Sequence, residues 1–296
     1  MTVQRFLGCE WASVHGPADP QQLWVQVLEA GFDGLVAAPA PRPMDWGQLI
    51  AAAADLPVHV GVVRATSVLD PAIATAGLAM GRSGPREVAL AAVRRAADTA
   101  RTVGCPAIVL EPGLVPVFGE IESDDLGDPS YRWTRERADA LLARRSVGRD
   151  EAVDQACRAI HAVVRACPEL SFGLATGRNL RVVADRQGLA DIFEDLHQLP
   201  LGYWHDAGAV ARREQIFGEP QGEWLEAFGN RLKGMSLGDS SPDGMLLPPG
   251  AGGVDYGLLA TYVPRDRTFP VGLDLDPTVA ASDFAGMRSC LDKFGL

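Results

Sequence analysis

Five apolar runs in this chain carry a carboxylate at or near their C-terminal end: RFLGCEW with Glu10, AIVLEPG with Glu111, LGYWHDAG with Asp206, LKGMSLGD with Asp239 and FPVGLDLD with Asp274. Arginines hold similar places: Arg64 closes VHVGVVR, and Arg178 lies just past LSFGLAT, which ends at Thr176. His15, His205 and Ser236 complete the set of polar groups at run ends. A carboxyl group at the end of a buried apolar segment has its pKa raised towards a useful general-base value. Glu111, in VLEPG, fits that description best; its competing role is as an ion-pair partner of Arg64. Guanidinium groups beside such acids neutralise them without a metal ion and can anchor an anionic or carbonyl oxygen. Glu111, Asp206 and Asp274 are therefore the candidate catalytic acids. Arg64, Arg178, His15, Ser236 and Asp239 are the candidate substrate-binding residues. His15 precedes Gly16-Pro17, which predicts a loop from which it could reach a site. His205 adjoins Asp206 in a strand, so the two side chains point to opposite faces; with Asp206 facing a site, His205 is expected to be structural.

The elements that must position these groups alternate along the chain. Strand candidates are Arg5 to Trp11, Asp33 to Pro39, Val58 to Arg64, Ala107 to Gly113, Leu170 to Thr176, Leu201 to Gly208, Leu232 to Asp239 and Phe269 to Asp276. Helical spacing follows each, over about Pro20 to Ala30, Asp45 to Ala53, Pro85 to Val103, Asp150 to Ala166, Leu189 to His197, Glu223 to Phe228, Tyr256 to Tyr262 and Ala281 to Phe294. Asp19 and Asp255 are the expected N-caps of the first and seventh of these helices. The strand candidates are continuous apolar runs without alternation, the mark of strands buried on both faces. Eight such units in 296 residues predict one (β/α)₈ TIM barrel, an α/β fold in a single domain over residues 1–296. An open doubly wound sheet would need a G-x-G-x-x-G after an early strand, and none stands there. In a barrel the site forms at the C-terminal strand ends, where the residues above are found. Two connections exceed simple turns: residues 114–149, with Glu120, Glu122, Asp124, Asp125, Asp128, Tyr131, Trp133 and an expected extra helix in TRERADALLARR, and the Gly/Pro-rich stretch from Ser240 to Gly253. The first is a candidate lid.

Composition narrows the function. The formal charge of −11, from 27 basic and 38 acidic residues, opposes binding to nucleic-acid phosphate. No apolar run reaches the roughly 18 residues that cross a bilayer, and the N-terminus lacks the pattern of a signal peptide. Five widely spaced cysteines without a C-x-x-C pair argue against a disulfide framework or zinc site; a reducing, cytoplasmic setting is expected. No G-x-S-x-G, H-E-x-x-H or P-loop is present.

The C-terminal third carries a resemblance. GYWHDAG (Gly202 to Gly208), RLKGMSLGD (Arg231 to Asp239) and DGMLLPPGAGGVDYGLL (Asp243 to Leu259) resemble the strand-six, strand-seven and following-loop motifs of the xylose isomerase-like TIM-barrel superfamily. That superfamily includes sugar phosphate isomerases and epimerases, inosose dehydratases and family 2 AP endonucleases. The resemblance implies one divalent ion, such as Mn²⁺, Mg²⁺ or Co²⁺, held by Glu, Asp, His and Glu from strands five to eight. Those positions here are Ala175, Asp206, Ser236 and Asp274, and the supporting histidines are replaced by Ala209 and Met245. With donors missing at Ala175 and Ser236, no metal cofactor is expected; Asp206 and Asp274 would hold an ion such as Mg²⁺ or Mn²⁺ if one bound.

The expected function is that of a sugar isomerase- or epimerase-like enzyme, or a lyase. It would act on a small polyhydroxylated or carbonyl compound, a sugar or sugar phosphate, by proton transfer at the barrel mouth. The second reading is a barrel that has lost catalysis and serves as a binding or assembly subunit. AP endonuclease chemistry, with its three-metal cluster of many histidines, is disfavoured in a chain with five His. The expected partner is a small molecule, with neither nucleic acid nor membrane; barrels of this type often form homodimers.

Overall fold

The structure, a computed structural model, describes residues 3–66, 75–81, 84–117, 132–241 and 245–296. Eight parallel strands close into a barrel: β1 (Val3–Gly8), β2 (Gly34–Ala37), β3 (His59–Arg64), β4 (Ala107–Leu110), β5 (Ser171–Ala175), β6 (Leu201–Asp206), β7 (Leu232–Ser236) and β8 (Phe269–Leu273). Closure is made by β1 on β8, from Val3 opposite Phe269 to Leu7 opposite Leu273. The expected fold is thus the observed one. Among the described residues no helix is long and apolar enough to cross a membrane.

Two cores follow from strands buried on both faces. The outer one packs strands such as Leu35, Leu110, Leu174 and Val271 against the helix layer. The inner one is Phe6, Val36, Val62, Val109, Ala175 and Trp204. The two large rings fill the barrel because glycines face them. A Cβ on Gly61 would stand 2.0 Å from the Phe6 ring, and one on Gly234 would stand 2.1 Å from Trp204. In β3, Val60 packs outside and Val62 inside, because Gly61 is an extra residue in the pairing with β2, where Leu35 faces Val60 and Val36 faces Val62. Lys233 is the corresponding extra residue of β7 against β6.

Ten helices are described: α1 (Cys9–His15), α2 (Pro20–Glu29), α3 (Trp46–Ala52), α4 (Gly84–Val103), α5 (Arg135–Ala166), α6 (Arg186–Asp195), α7 (Ala207–Phe217), α8 (Gln221–Phe228), α9 (Tyr256–Tyr262) and α10 (Phe284–Phe294). Asp19 and Asp255 cap α2 and α9 as expected, accepting from Gln22 N and Leu258 N at 2.8 and 2.9 Å.

Several boundaries differ from expectation. The run Arg5 to Trp11 is not one strand: β1 ends at Gly8 and α1 starts at Cys9, so Glu10 lies in a helical first turn and His15 ends a helix instead of lying in a loop. The extra helix expected in TRERADALLARR and the helix expected from Asp150 are one 32-residue helix, α5. No proline interrupts it, and Gly148 within it faces Pro116, whose carbonyl oxygen would be 3.1 Å from a Cβ. The remainder of the candidate lid, residues 118–131, lies outside the described residues. Helix α7 was not expected at all. Asp239–Ser240 leaves β7 to pair antiparallel with Leu246–Leu247, opening the Gly/Pro-rich stretch.

Candidate functional site

One rule of strand geometry builds the site. The residue two places after an inner-core residue stands on the same face, one layer nearer the C-terminal mouth. Val62 is followed in this way by Arg64, Val109 by Glu111 and Trp204 by Asp206. Gly234, against Trp204, is followed by Ser236, and Gly272, against Val36, by Asp274. Five of the sequence candidates therefore form one layer above the barrel floor, and all are buried.

Arg64 is its centre. Its Nη1 donates to Asp274 Oδ2 at 2.8 Å and to Ser236 Oγ at 2.9 Å. Its Nη2 lies 3.5 Å from Glu111 Oε1 and 3.7 Å from Asp206 Oδ2. Burial alone would lower the guanidinium's pKa; Asp274, Asp206, Glu111 and Glu10 together reverse that and raise it. Ser236 Oγ also accepts from Trp204 Nε1 at 3.0 Å, which ties the layer to the floor.

The acids are held in distinct ways. Glu111 Oε1 accepts from Thr66 Oγ1 at 3.0 Å, and its other oxygen lies over Gly177, where a Cβ would approach to 2.2 Å. Asp206 caps α7 by accepting from Ala209 N at 2.9 Å. Burial raises the pKa of Glu111; Arg64 opposes this without cancelling it, and Asp206 adds to the rise. Burial likewise raises Asp206 against Arg64, with Asp274 adding to it. Oδ1 of Asp274 is buried without a hydrogen bond, as is Oγ1 of Thr176. Glu10, a run-end acid in the sequence to which no role was assigned, belongs here too: its carboxylate lies over Gly8 beside Asp274, and it acts on Arg64. Arg178 lies within electrostatic reach of Asp206, Asp276, Glu111 and Asp274, while burial lowers its pKa. Its backbone carbonyl accepts from Arg212 Nη1 at 2.7 Å.

Three candidates have other partners. His15 stacks on Trp11, with ring centroids 4.7 Å apart, and pairs through Nε2 with the Pro277 carbonyl. It thereby fastens α1 to the connection after β8, as does Trp11 Nε1 on Val279 O at 2.8 Å. Asp239 accepts from Gly250 N and Val254 N, both at 2.9 Å, and from the Tyr256 hydroxyl at 3.2 Å. It is an internal anchor of the Gly-rich loop, and those loop amides are engaged by it. His205 faces outward as expected, with Nδ1 on the Tyr203 hydroxyl at 2.8 Å and its pKa pushed down to about 3 by burial.

The donors present do not fit a divalent ion. Ala175 is part of the barrel floor. Ser236 and Asp274 both hold Arg64 Nη1, and Asp206 faces Nη2. The acids surround the broad fork of a guanidinium instead of converging on one point, and among the described residues no group of three or more His, Cys, Asp or Glu is placed to hold a metal. What the arrangement can do is move protons between two raised carboxyls beside a fixed positive charge.

No family model matches this chain. No curated protein matches it either. Solved structures do. A D-tagatose 3-epimerase-like protein matches with a TM-score of 0.69 at 15% identity, over 99% of this chain and 97% of that one. D-allulose 3-epimerase from Methylomonas sp., in complex with D-allulose, matches at 0.63 and 13%, over 99% and 96%. A family 2 AP endonuclease from Brucella melitensis matches at 0.62 and 11%, over 97% and 98%. At such identities the likeness is one of fold, the (β/α)₈ barrel that the sequence led one to expect.

Proposed function

We propose that this chain is a sugar isomerase- or epimerase-like enzyme that moves a proton on a small polyhydroxylated carbonyl compound without a divalent metal. The observation that supports the reading best is the Arg64 constellation: one buried guanidinium at the barrel mouth, bonded to Asp274 and Ser236 and faced by Glu111 and Asp206. The names of the neighbours, a tagatose epimerase-like protein and an allulose epimerase, favour a sugar.

In this reading one of the two raised acids, Glu111, is ionised and takes the proton from the carbon next to the substrate carbonyl. The C–H electron pair moves into the new C=C bond as the carbonyl pair becomes an enediolate oxygen. Asp206, in its acid form, returns a proton to carbon. Return to the opposite face of the same carbon is epimerisation; return to the neighbouring carbon, with the proton of the adjacent hydroxyl passing to the enediolate oxygen, is isomerisation. Arg64 Nη2 faces the negative oxygen, the part a metal ion would otherwise take. Arg178 is the second anchor, and Asp274 accepts a substrate hydroxyl.

The test is incubation of purified protein with ketoses and aldoses in D₂O, followed by NMR. Deuterium should enter carbon next to the carbonyl, persist in EDTA and vanish in Glu111→Gln and Asp206→Asn. Deuterium uptake that stops in EDTA and returns with Mn²⁺ would overturn the metal-free part. The missing donors at Ala175 and Ser236 also suit a non-catalytic binding subunit. No uptake by any sugar, together with a constitutive partner on pull-down, would favour that second reading.

A further inference from the structure

The charge of the mouth and its free hydrogen-bonding capacity together describe a ligand. On the acidic side are Glu10, Glu111, Asp206 and Asp274, all buried. On the basic side Arg64 is already bonded to Asp274 and Ser236, and Arg178 stands in the field of Asp206, Asp276, Glu111 and Asp274. Acids outnumber arginines in the layer. The Gly-rich loop, whose backbone N–H groups could have cradled a phosphate, has its Gly250 and Val254 amides on Asp239.

The unpartnered atoms are of complementary kinds. Asp274 is 3% exposed, and its Oδ1 has no donor. A buried carboxylate oxygen left so is costly unless a ligand or water supplies an O–H or N–H. Ser236 Oγ accepts from Arg64 and from Trp204, which leaves its own proton to donate. Arg64 Nη2 has only the longer approaches to Glu111 and Asp206. The mouth thus offers one acceptor that needs a hydroxyl and two donors that suit a carbonyl or hydroxyl oxygen. A phosphorylated ligand can still offer a hydroxyl to Asp274 Oδ1, but its phosphate brings about two more negative charges to a mouth already rich in acids.

We infer that the mouth selects an uncharged polyhydroxylated carbonyl compound and rejects its phosphorylated counterpart. This rests on the sugar reading above and narrows it. Asp274 takes a ligand hydroxyl through Oδ1, Ser236 gives its proton to a ligand oxygen, and the surplus of acids sets the discrimination.

Matched pairs test it by isothermal titration calorimetry on the full chain: fructose against fructose 6-phosphate, xylulose against xylulose 5-phosphate, and ribulose against ribulose 5-phosphate. The uncharged member of at least one pair should bind at least about tenfold more tightly than its phosphate. Glu10→Gln, which removes one buried acid that acts on Arg64, should shrink that ratio. Equal or tighter binding of the phosphates would overturn the inference and leave the sugar reading standing. An unchanged ratio in Glu10→Gln would overturn its electrostatic basis. Binding by no member of any pair would remove the sugar reading and this inference with it.

Discussion

Arg64 Nη1 stands 2.8 Å from Asp274 Oδ2, and both side chains are almost wholly buried. The pair joins β3 to the end of β8 across the barrel mouth. A buried ion pair contributes little net stability compared with an apolar pair, yet removing one partner strands the other. Arg64→Met should therefore lower the unfolding free energy by about 3–5 kcal/mol, as expected when one side of a buried pair is lost. Asp274→Asn should cost less, because the amide oxygen can still accept from Nη1. Arg64→Lys should fail to restore the wild-type value, since an ammonium is a point charge and cannot span Asp274, Ser236 and the two further acids. Urea unfolding monitored by circular dichroism measures all three, and a fully stable Arg64→Met protein would show that the pair is ornamental.

Burial raises the pKa of Glu111 and of Asp206. The folded chain therefore binds more protons at these sites than the unfolded chain does. Their contribution to stability is fully present below the ordinary carboxylate range and is lost as pH rises through the raised values. In unfolding experiments from about pH 4 to pH 8, wild type should lose stability with rising pH relative to Glu111→Gln/Asp206→Asn, whose amides do not titrate. Parallel curves for the two proteins would show that these carboxyls are not raised. The same pair should give deuterium exchange a bell-shaped pH profile, needing one group ionised and the other protonated.

Much of this layer was readable in the sequence, for a physical reason. Strands buried on both faces appear as apolar runs, so their ends can be found, and in a barrel those ends are the site. Arg64, Glu111, Asp206, Ser236 and Asp274 were all found in this way. What was not readable depends on geometry that patterning does not encode. Strict alternation puts Arg64 on the same face as Val60, which packs outward; it reaches the mouth because Gly61 is accommodated as an extra residue. Helix α7 was missed because no loop precedes it: Asp206 is at once the last residue of β6 and the N-cap. Cys9 and Trp11 extend the apolar run of β1, which hid the start of α1. Asp239 sits at a strand end like the others, yet the loop that follows β7 folds back to take its carboxylate.

Gly177 has no side chain because Glu111 occupies the space. A Cβ there would stand 2.2 Å from Glu111 Oε2 and 2.9 Å from its carboxyl carbon. Gly177→Ala should push the carboxylate off its place while leaving Arg64, Asp206 and Asp274 untouched. A general base moved by about 1 Å can lose about 100-fold in rate. The expected result is a fall of that order in the rate of deuterium exchange, with sugar affinity within a few-fold of wild type and a far-UV spectrum unchanged. A fully active Gly177→Ala protein would remove Glu111 from its role as base.

Asp239 supplies the last test, because it separates a loop anchor from a substrate ligand. Its carboxylate accepts from Gly250 N, Val254 N and the Tyr256 hydroxyl, so it closes the Gly-rich loop onto the end of β7 and the start of α9. A hydrogen bond to a charged group contributes about 1.5–3 kcal/mol, and those made by one side chain are not additive. Asp239→Ala should free the loop, lower the melting temperature and open the chain to proteolysis between Pro248 and Val254. Asp239→Asn, which keeps one acceptor oxygen and loses the charge, should lie between Asp239→Ala and wild type. A substrate ligand would behave differently: affinity for sugar would fall while melting temperature and protease resistance stayed at wild-type values. The number of backbone amides gathered on this one carboxylate predicts the first pattern, with sugar affinity lost only in proportion to the loosening of the loop.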